Sequence, residues 1–233
     1  EDRLCNTLLN GPDRAMKKAL QEYLAKHGDS RESRISFVYE TFDAYLTAIK
    51  RVQLRLDPNH MNLGYRFGNA YAVTERLAAI CAKHFDVMSF NGYALKPDTK
   101  LMDRLLAWSR LPMIIGEFHF GAADRGLGQS LYQVADQASR GQAYRYYVEQ
   151  GFTHPGLVGL TYFTWNDQDV LGRFDGENYN CGLIDVTNVP YREQTEAMME
   201  TARHLRAVHA GEKAPFDKLP DYIVGMERGG DEW

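Results

Sequence analysis

The sequence predicts an α/β protein built on a parallel sheet, and three observations carry that reading. From residue 61 onward short apolar runs alternate with helical patterns, the spacing of right-handed βαβ units. Each apolar run ends in polar and aromatic residues, where a purely structural strand would end in turn residues. The composition, 44% apolar and 25% charged over 233 residues, is that of a globular chain long enough to bury a sizeable core. A net charge of −4 argues against a nucleic-acid partner, which needs a basic face. No apolar stretch approaches the roughly 18 residues of a membrane span, so no membrane partner is expected. The 12% aromatic content, with 14 tyrosines, suits a sugar-stacking surface and a well-filled core equally.

The opening Glu1-Asp2-Arg3-Leu4 has no start methionine and no leader pattern, so the reading is a processed or cut chain whose compartment stays unassigned. Asp13 is a candidate cap for a helix over 14–27, with Ala15, Leu20 and Leu24 on one stripe and Gly28 as its stop. A second helix over 36–56 places Phe37, Tyr45, Ile49, Val52 and Leu56 at helical spacing and ends at Asp57-Pro58. Strands are then expected at 61–67, 86–91, 113–118 and 157–164. Helices are expected near 72–83, 99–110, 131–150 and 193–209, and the tail from Gly211 should wander over the surface. Four βα units make half of an eight-stranded barrel, although the length approaches the roughly 250 residues of a whole one. An open four-stranded sheet is the structural alternative.

Parallel α/β proteins place their sites at the carboxyl ends of the strands. Those ends here read Gly64-Tyr65-Arg66-Phe67, Ser89-Phe90-Asn91-Gly92-Tyr93, Gly116-Glu117-Phe118-His119 and Tyr162-Phe163-Thr164-Trp165-Asn166-Asp167-Gln168. Glu117 is the sharpest candidate, because a carboxylate leaving a buried strand costs several kcal/mol unless it is paired. Strand alternation puts Met113, Ile115, Glu117 and His119 on one face, and Ser89, Asn91 and Tyr93 on one face of their own strand. Tyr93 would then donate to Glu117 and orient it. A rim tyrosine after an Asn-Gly turn is the competing reading, as a buried ion pair to Arg66 is for Glu117. Tyr162 and Trp165 are candidates for a sugar-stacking platform, and aromatic core lids are the alternative. The polar loop 172–180 contains Arg173, Asp175 and Glu177, whose carboxylates read best as solvated loop charges. The histidines are dispersed, with no HExxH zinc motif, no GxSxG elbow and no GxGxxG or P-loop, and a structural role suits the three cysteines Cys5, Cys81 and Cys181.

These segments resemble a known family. The run from Ile114 to Ala122, followed by Asp124-Arg125-Gly126, resembles the strand-seven nucleophile segment of glycoside hydrolase family 50, the agarase-type enzymes. Asp167-Gln168, Gly172-Arg173, Asp175-Gly176-Glu177-Asn178-Tyr179, Gly182 and Asp185-Val186-Thr187 resemble its segment after strand eight. Asp57-Pro58-Asn59-His60, Leu63-Gly64 and Arg66-Phe67 resemble the approach to strand five, and Ala15 to Gly28 resembles a helical excursion after strand four. Tyr162 and Asp169 depart from the family's tryptophan and proline.

The resemblance implies a retaining glycosidase on a (β/α)8 barrel, of which this chain is the carboxyl-terminal half, strands five to eight. Residues 1–57 are then a helical insertion, 58–210 the half-barrel and 211–233 an irregular tail. Glu117 matches the nucleophile and Tyr93 the tyrosine that orients it, with Arg66, Asn91, His119, Tyr162, Trp165, Asp167, Gln168, Arg173 and Glu177 as substrate contacts. The acid/base glutamate of such enzymes follows an asparagine at strand four, and this sequence contains no Asn-Glu pair. The expectation is therefore a galactan-type polysaccharide such as agarose as substrate, no metal or other cofactor, a fragment inactive alone, and self-association through exposed half-barrel edges. A secreted or periplasmic location is the family expectation. The alternative is a non-catalytic carbohydrate-binding protein on the same scaffold.

Overall fold

The computed structural model describes residues 1–128 and 130–225. They divide into two compact units, Glu1–Asn62 with Arg76–Phe85, and Leu63–Glu75 with the chain from Asp86 onward.

The first unit contains α1 (Asp2–Asn10), α2 (Ala15–His27), α3 (Arg31–Leu56) and nearly all of α4 (Glu75–His84). Cys5, Leu20, Leu24 and Phe37 form its core, with Leu8, Leu9, Tyr23 and Val38 packed around them. Two boundaries differ from expectation. Arg14, not Asp13, occupies the cap position of α2, and its side chain makes no cap bond. Helix α3 begins five residues before the expected start at 36, because Ser30 Oγ accepts from the Ser33 amide at 3.1 Å. The expected stripe of α3 is helical throughout, but Phe37 is buried whereas Tyr45, Ile49, Val52 and Leu56 are exposed. Length accounts for this: α3 has 26 residues against 9 and 13 for the helices packed on it, about 39 Å against about 14 and 20 Å.

The second unit is organised by four strands, β1 (Arg66–Phe67), β2 (Met88–Asn91), β3 (Met113–Phe118) and β6 (Leu157–Tyr162), all parallel and adjacent in chain order. This is the parallel sheet the spacing predicts. The first strand is much shorter than 61–67, and only Arg66 and Phe67 pair with β2. Met88, Phe90, Met113 and Ile115 are buried, as are Leu101, Met102 and Leu105 of α5 (Thr99–Ser109). Phe118 stacks on Tyr147 of α6 (Gln137–Gly151) with centroids 4.3 Å apart. Helix α7 (Arg192–His209) packs on α6 at Gly141, where a Cβ would fall 2.8 Å from the Glu193 carbonyl oxygen.

A second sheet was not expected. It joins β4 (Gly121–Ala122), β5 (Tyr132–Val134) and β7 (Ile223–Gly225). Residues 131–134 therefore do not begin α6; Asp136 does, its carboxylate accepting from the Ser139 amide at 2.8 Å. The tail from Gly211 does not wander freely. The Phe216 amide donates to Glu149 and its carbonyl accepts from Gln150, and the chain then supplies β7. The rest of the tail, 226–233, lies outside the described residues.

Candidate active site

Glu117 stands at the carboxyl end of β3, and a break in strand register aims it. Phe90 of β2 is opposite Ile115, but Asn91 is opposite Glu117, so β3 carries one extra residue there. Simple alternation fails at this bulge. Ile115 and Phe118 both lie against Tyr147 on the helix side, as the neighbourhood of Gly92 and the ring stack show. Gly116 faces away from them, because a Cβ there would fall 2.2 Å from Arg66 Cδ. Met113 and Ile115 therefore do not share the face of Glu117.

Three groups converge on this carboxylate. Oε2 accepts from Asn91 Nδ2 and from the Tyr93 hydroxyl, each at 2.8 Å. Oε1 faces Arg66 Nη2 at 2.8 Å. The pair is not a closed fork, since Arg66 Nη1 turns to the Gly116 carbonyl at 3.5 Å. The Arg66 side chain is 52% exposed and that of Glu117 16%, so the cation lies on the solvent side. Gly92 lets the strand end approach: its amide donates to the Glu117 carbonyl at 2.8 Å, and its carbonyl accepts from Tyr147. A Cβ at Gly92 would sit 2.7 Å from the Tyr147 hydroxyl. Burial, then the bond to Glu117, push the Tyr93 phenol well above the usual tyrosine range, so it stays a donor.

His119 lies behind the cluster. Its ring meets Tyr93 edge-on with centroids 4.8 Å apart, and its Nε2 accepts from the Leu131 amide at 3.2 Å. The ring is 2% exposed, and burial pulls its pKa down to about 3. It packs behind Tyr93 as a buried, neutral ring.

The other candidates fall into two groups. Trp165 is 66% exposed just beyond β6. Tyr162 is turned inward, its hydroxyl donating to the Phe120 carbonyl at 2.9 Å and accepting from Arg140 at 3.1 Å. Asp167 is buried and saturated by the Gly182 amide, Asn180 and the Tyr191 hydroxyl at 2.7, 2.8 and 2.6 Å. Gln168 donates to Glu177 at 2.8 Å and accepts from the Tyr179 amide at 2.7 Å, and Arg173 pairs with Asp175 and Glu177. The carboxylates of Asp175 and Glu177 are therefore paired, not merely solvated.

Sequence reasoning missed Arg140. It is fully buried on α6 and donates to the Phe120 carbonyl, Gln137, Tyr162 and the Gly182 carbonyl. Gln137 in turn reaches Asp124 and Asn180. This network ties the segment after β3 to the segment after β6. A lone arginine on a helix reads as a solvated charge, so no local signal marks it. Among the described residues no group of three His, Cys, Asp or Glu side chains could hold a metal ion, and no helix is long and apolar enough to cross a membrane.

No protein-family profile matches the chain. Two proteins of Vibrio sp. (strain JT0107) do. "Beta-agarase B" is 37% identical over 155 residues, 66% of this chain and 16% of that protein. "Beta-agarase A" is 34% identical over 171 residues, 70% of this chain and 17% of its own length. The chain is similar to β-agarases. It spans about one sixth of the length of the curated relatives it matches. Among solved structures, an exo-β-agarase superposes with a TM-score of 0.70 at 34% identity, covering 77% of this chain and 24% of that one. PfGH50B gives 0.70 at 32%, covering 76% and 26%. The family 50 resemblance read from the motifs is thus matched by sequence and by backbone.

Proposed function

We propose that this chain is the carboxyl-terminal portion, strands five to eight, of the (β/α)8 catalytic barrel of a retaining, agarase-type glycoside hydrolase of family 50. On this reading residues 1–57 are a helical insertion after strand four. The observation that carries the proposal is the Glu117 carboxylate, held at a strand end by Asn91 and Tyr93 on one oxygen. The β-agarase relatives supply the substrate class, a β-linked galactan such as agarose.

The chemistry follows from the geometry. Oε2 is fixed by two donors, which leaves Oε1, on the side of the half-exposed Arg66, to attack an anomeric carbon. The C1–Oε1 ester bond forms as the bond from C1 to the leaving oxygen breaks, and that oxygen takes a proton from a second carboxyl group. Water, deprotonated by the same group, then attacks C1 and frees Glu117. In retaining enzymes the two carboxyl groups stand about 5 Å apart. The sequence contains no Asn-Glu pair to supply the second, and general acid–base help is worth about 10²–10⁴-fold. The 233-residue chain should therefore leave agarose unhydrolysed.

A 2-deoxy-2-fluoro-galactosyl fluoride tests the assignment, since its leaving group needs little acid help. Intact-mass and peptide analysis should find one glycosyl ester, on Glu117, and none in Glu117→Gln. An ester elsewhere, or none, removes the nucleophile. One observation favours a second reading: Oε1 is engaged by Arg66, as suits a carboxylate that binds sugar without reacting. Galactan binding with no ester on Glu117 would select that carbohydrate-binding role.

A further inference from the structure

The loop Asp169–Glu177 holds its own shape. Gly172 and Gly176 both turn through the left-handed region, at φ +85° and +87°, which a glycine adopts without strain. The Gly172 amide donates to the Asp169 carbonyl, that of Gly176 to Arg173, and that of Arg173 to Glu177, at 2.8–2.9 Å. Arg173 Nε donates to Asp175 at 3.1 Å and its Nη2 lies 3.1 Å from Glu177, which also takes the bond from Gln168. Yet this tied loop presents Phe174 100% exposed and Leu171 94% exposed. A loop held by so many bonds cannot fold those side chains inward.

A chain of ring contacts links the exposed ring to the buried support behind Glu117. The Arg173 guanidinium lies 5.9 Å from the Phe174 ring centre and 6.0 Å from that of Phe163, which directly follows β6. The Phe163 and His119 rings are 5.9 Å apart, and His119 meets Tyr93, the donor to Glu117. Asp175 and Glu177 pair with Arg173, so its positive charge beneath the ring is offset. That suits the apolar face of an uncharged sugar. Val170, Leu171 and Phe174, the exposed apolar side chains of this loop, are together far short of the roughly 800 Å² per partner of a stable protein interface.

We propose that Phe174, seated on Arg173, is an outer sugar subsite that stacks one residue of a neutral β-linked galactan, several residues from the bond at Glu117. This deepens the hydrolase reading and rests on it. The test is calorimetric titration of the intact 233-residue chain with agaro-oligosaccharides of two and eight sugars. Phe174→Ala should bind the octasaccharide about tenfold more weakly, about 1.4 kcal/mol, and the disaccharide unchanged, while Phe174→Trp should keep wild-type affinity for both. Equal affinity of Phe174→Ala and wild type for the octasaccharide overturns the subsite, as does an equal loss for both lengths. Self-association that Phe174→Ala abolishes also overturns it, by assigning the ring to a chain–chain contact. If wild type binds neither sugar, the subsite and the galactan reading fall together. An ester on Glu117 with no length-dependent loss removes the subsite alone.

Discussion

Tyr93 donates its phenolic proton to Oε2 of Glu117 at 2.8 Å, and the phenol is supported from behind by the buried ring of His119. The bond both orients the carboxylate and stabilises its charge. Tyr93→Phe removes one donor to a charged acceptor, an interaction of about 1.5–3 kcal/mol. Ester formation on Glu117 should slow by about 10- to 100-fold, with the melting temperature little changed. Because the phenol is held above its usual range, wild type should lose no rate to phenol ionisation up to about pH 10. An unchanged rate for Tyr93→Phe would leave Asn91 as the donor that fixes Oε2.

His119 sets a pH dependence of stability with a definite sign. Its folded pKa is near 3 and its unfolded value about 6.5, so below about pH 6.5 only the unfolded chain takes the proton. Stability from this residue is whole above pH 6.5 and declines as the pH falls toward 3, by at most about 1.4 kcal/mol per pH unit. His119→Gln keeps an acceptor near the Leu131 amide and has no such titration. Urea unfolding from pH 7 to 4 should give a steeper decline for wild type than for the variant. Parallel curves would contradict the burial argument.

Arg140 should be among the costliest single residues to lose. Arg140→Met strands the buried Gly182 carbonyl, at about 1–3 kcal/mol. It also removes the charged donor to the Phe120 carbonyl, Gln137 and Tyr162, at about 1.5–3 kcal/mol for a bond to a charged group, the Phe120 carbonyl keeping the Tyr162 hydroxyl. A loss of at least about 3 kcal/mol in urea unfolding is expected, with faster amide exchange in residues 165–182. A loss under about 1 kcal/mol would show that the network does not tie those segments together.

The edge of the large sheet carries an association prediction. Strand β6 pairs with β3 on one side only among the described residues, and Val158 on it is 51% exposed. Thr161→Lys places a charge on that edge. If wild type forms concentration-dependent oligomers in sedimentation velocity, the lysine variant should reduce them. Oligomers unaffected by the lysine would place the contact elsewhere.

Much of the scaffold was legible locally. Strand β3 and helix α5 fall within one residue of their expected limits, because apolar period and capping residues act over neighbouring positions. The segments that were missed depend on distant partners. Residues Tyr132–Val134 are extended because β4 and β7 pair with them, and β7 comes from a tail that reads as loop. Tyr162 offered a stacking ring in sequence, but a buried hydroxyl with Arg140 and the Phe120 carbonyl beside it holds the ring inside.

The sequence by itself determined the order of the four parallel strands and of the helices between them, the polar strand ends, and Glu117 with Tyr93 as the pair to examine, because periodicity and strand-end chemistry are written in adjacent residues. Only the tertiary structure decided which oxygen each donor reaches, that Arg66 and Asn91 complete the cluster, and that His119, Asp167 and Arg140 are buried supports. Those outcomes turn on one inserted residue in β3 and on bonds between residues far apart in the chain. Neighbouring residues carry no record of either.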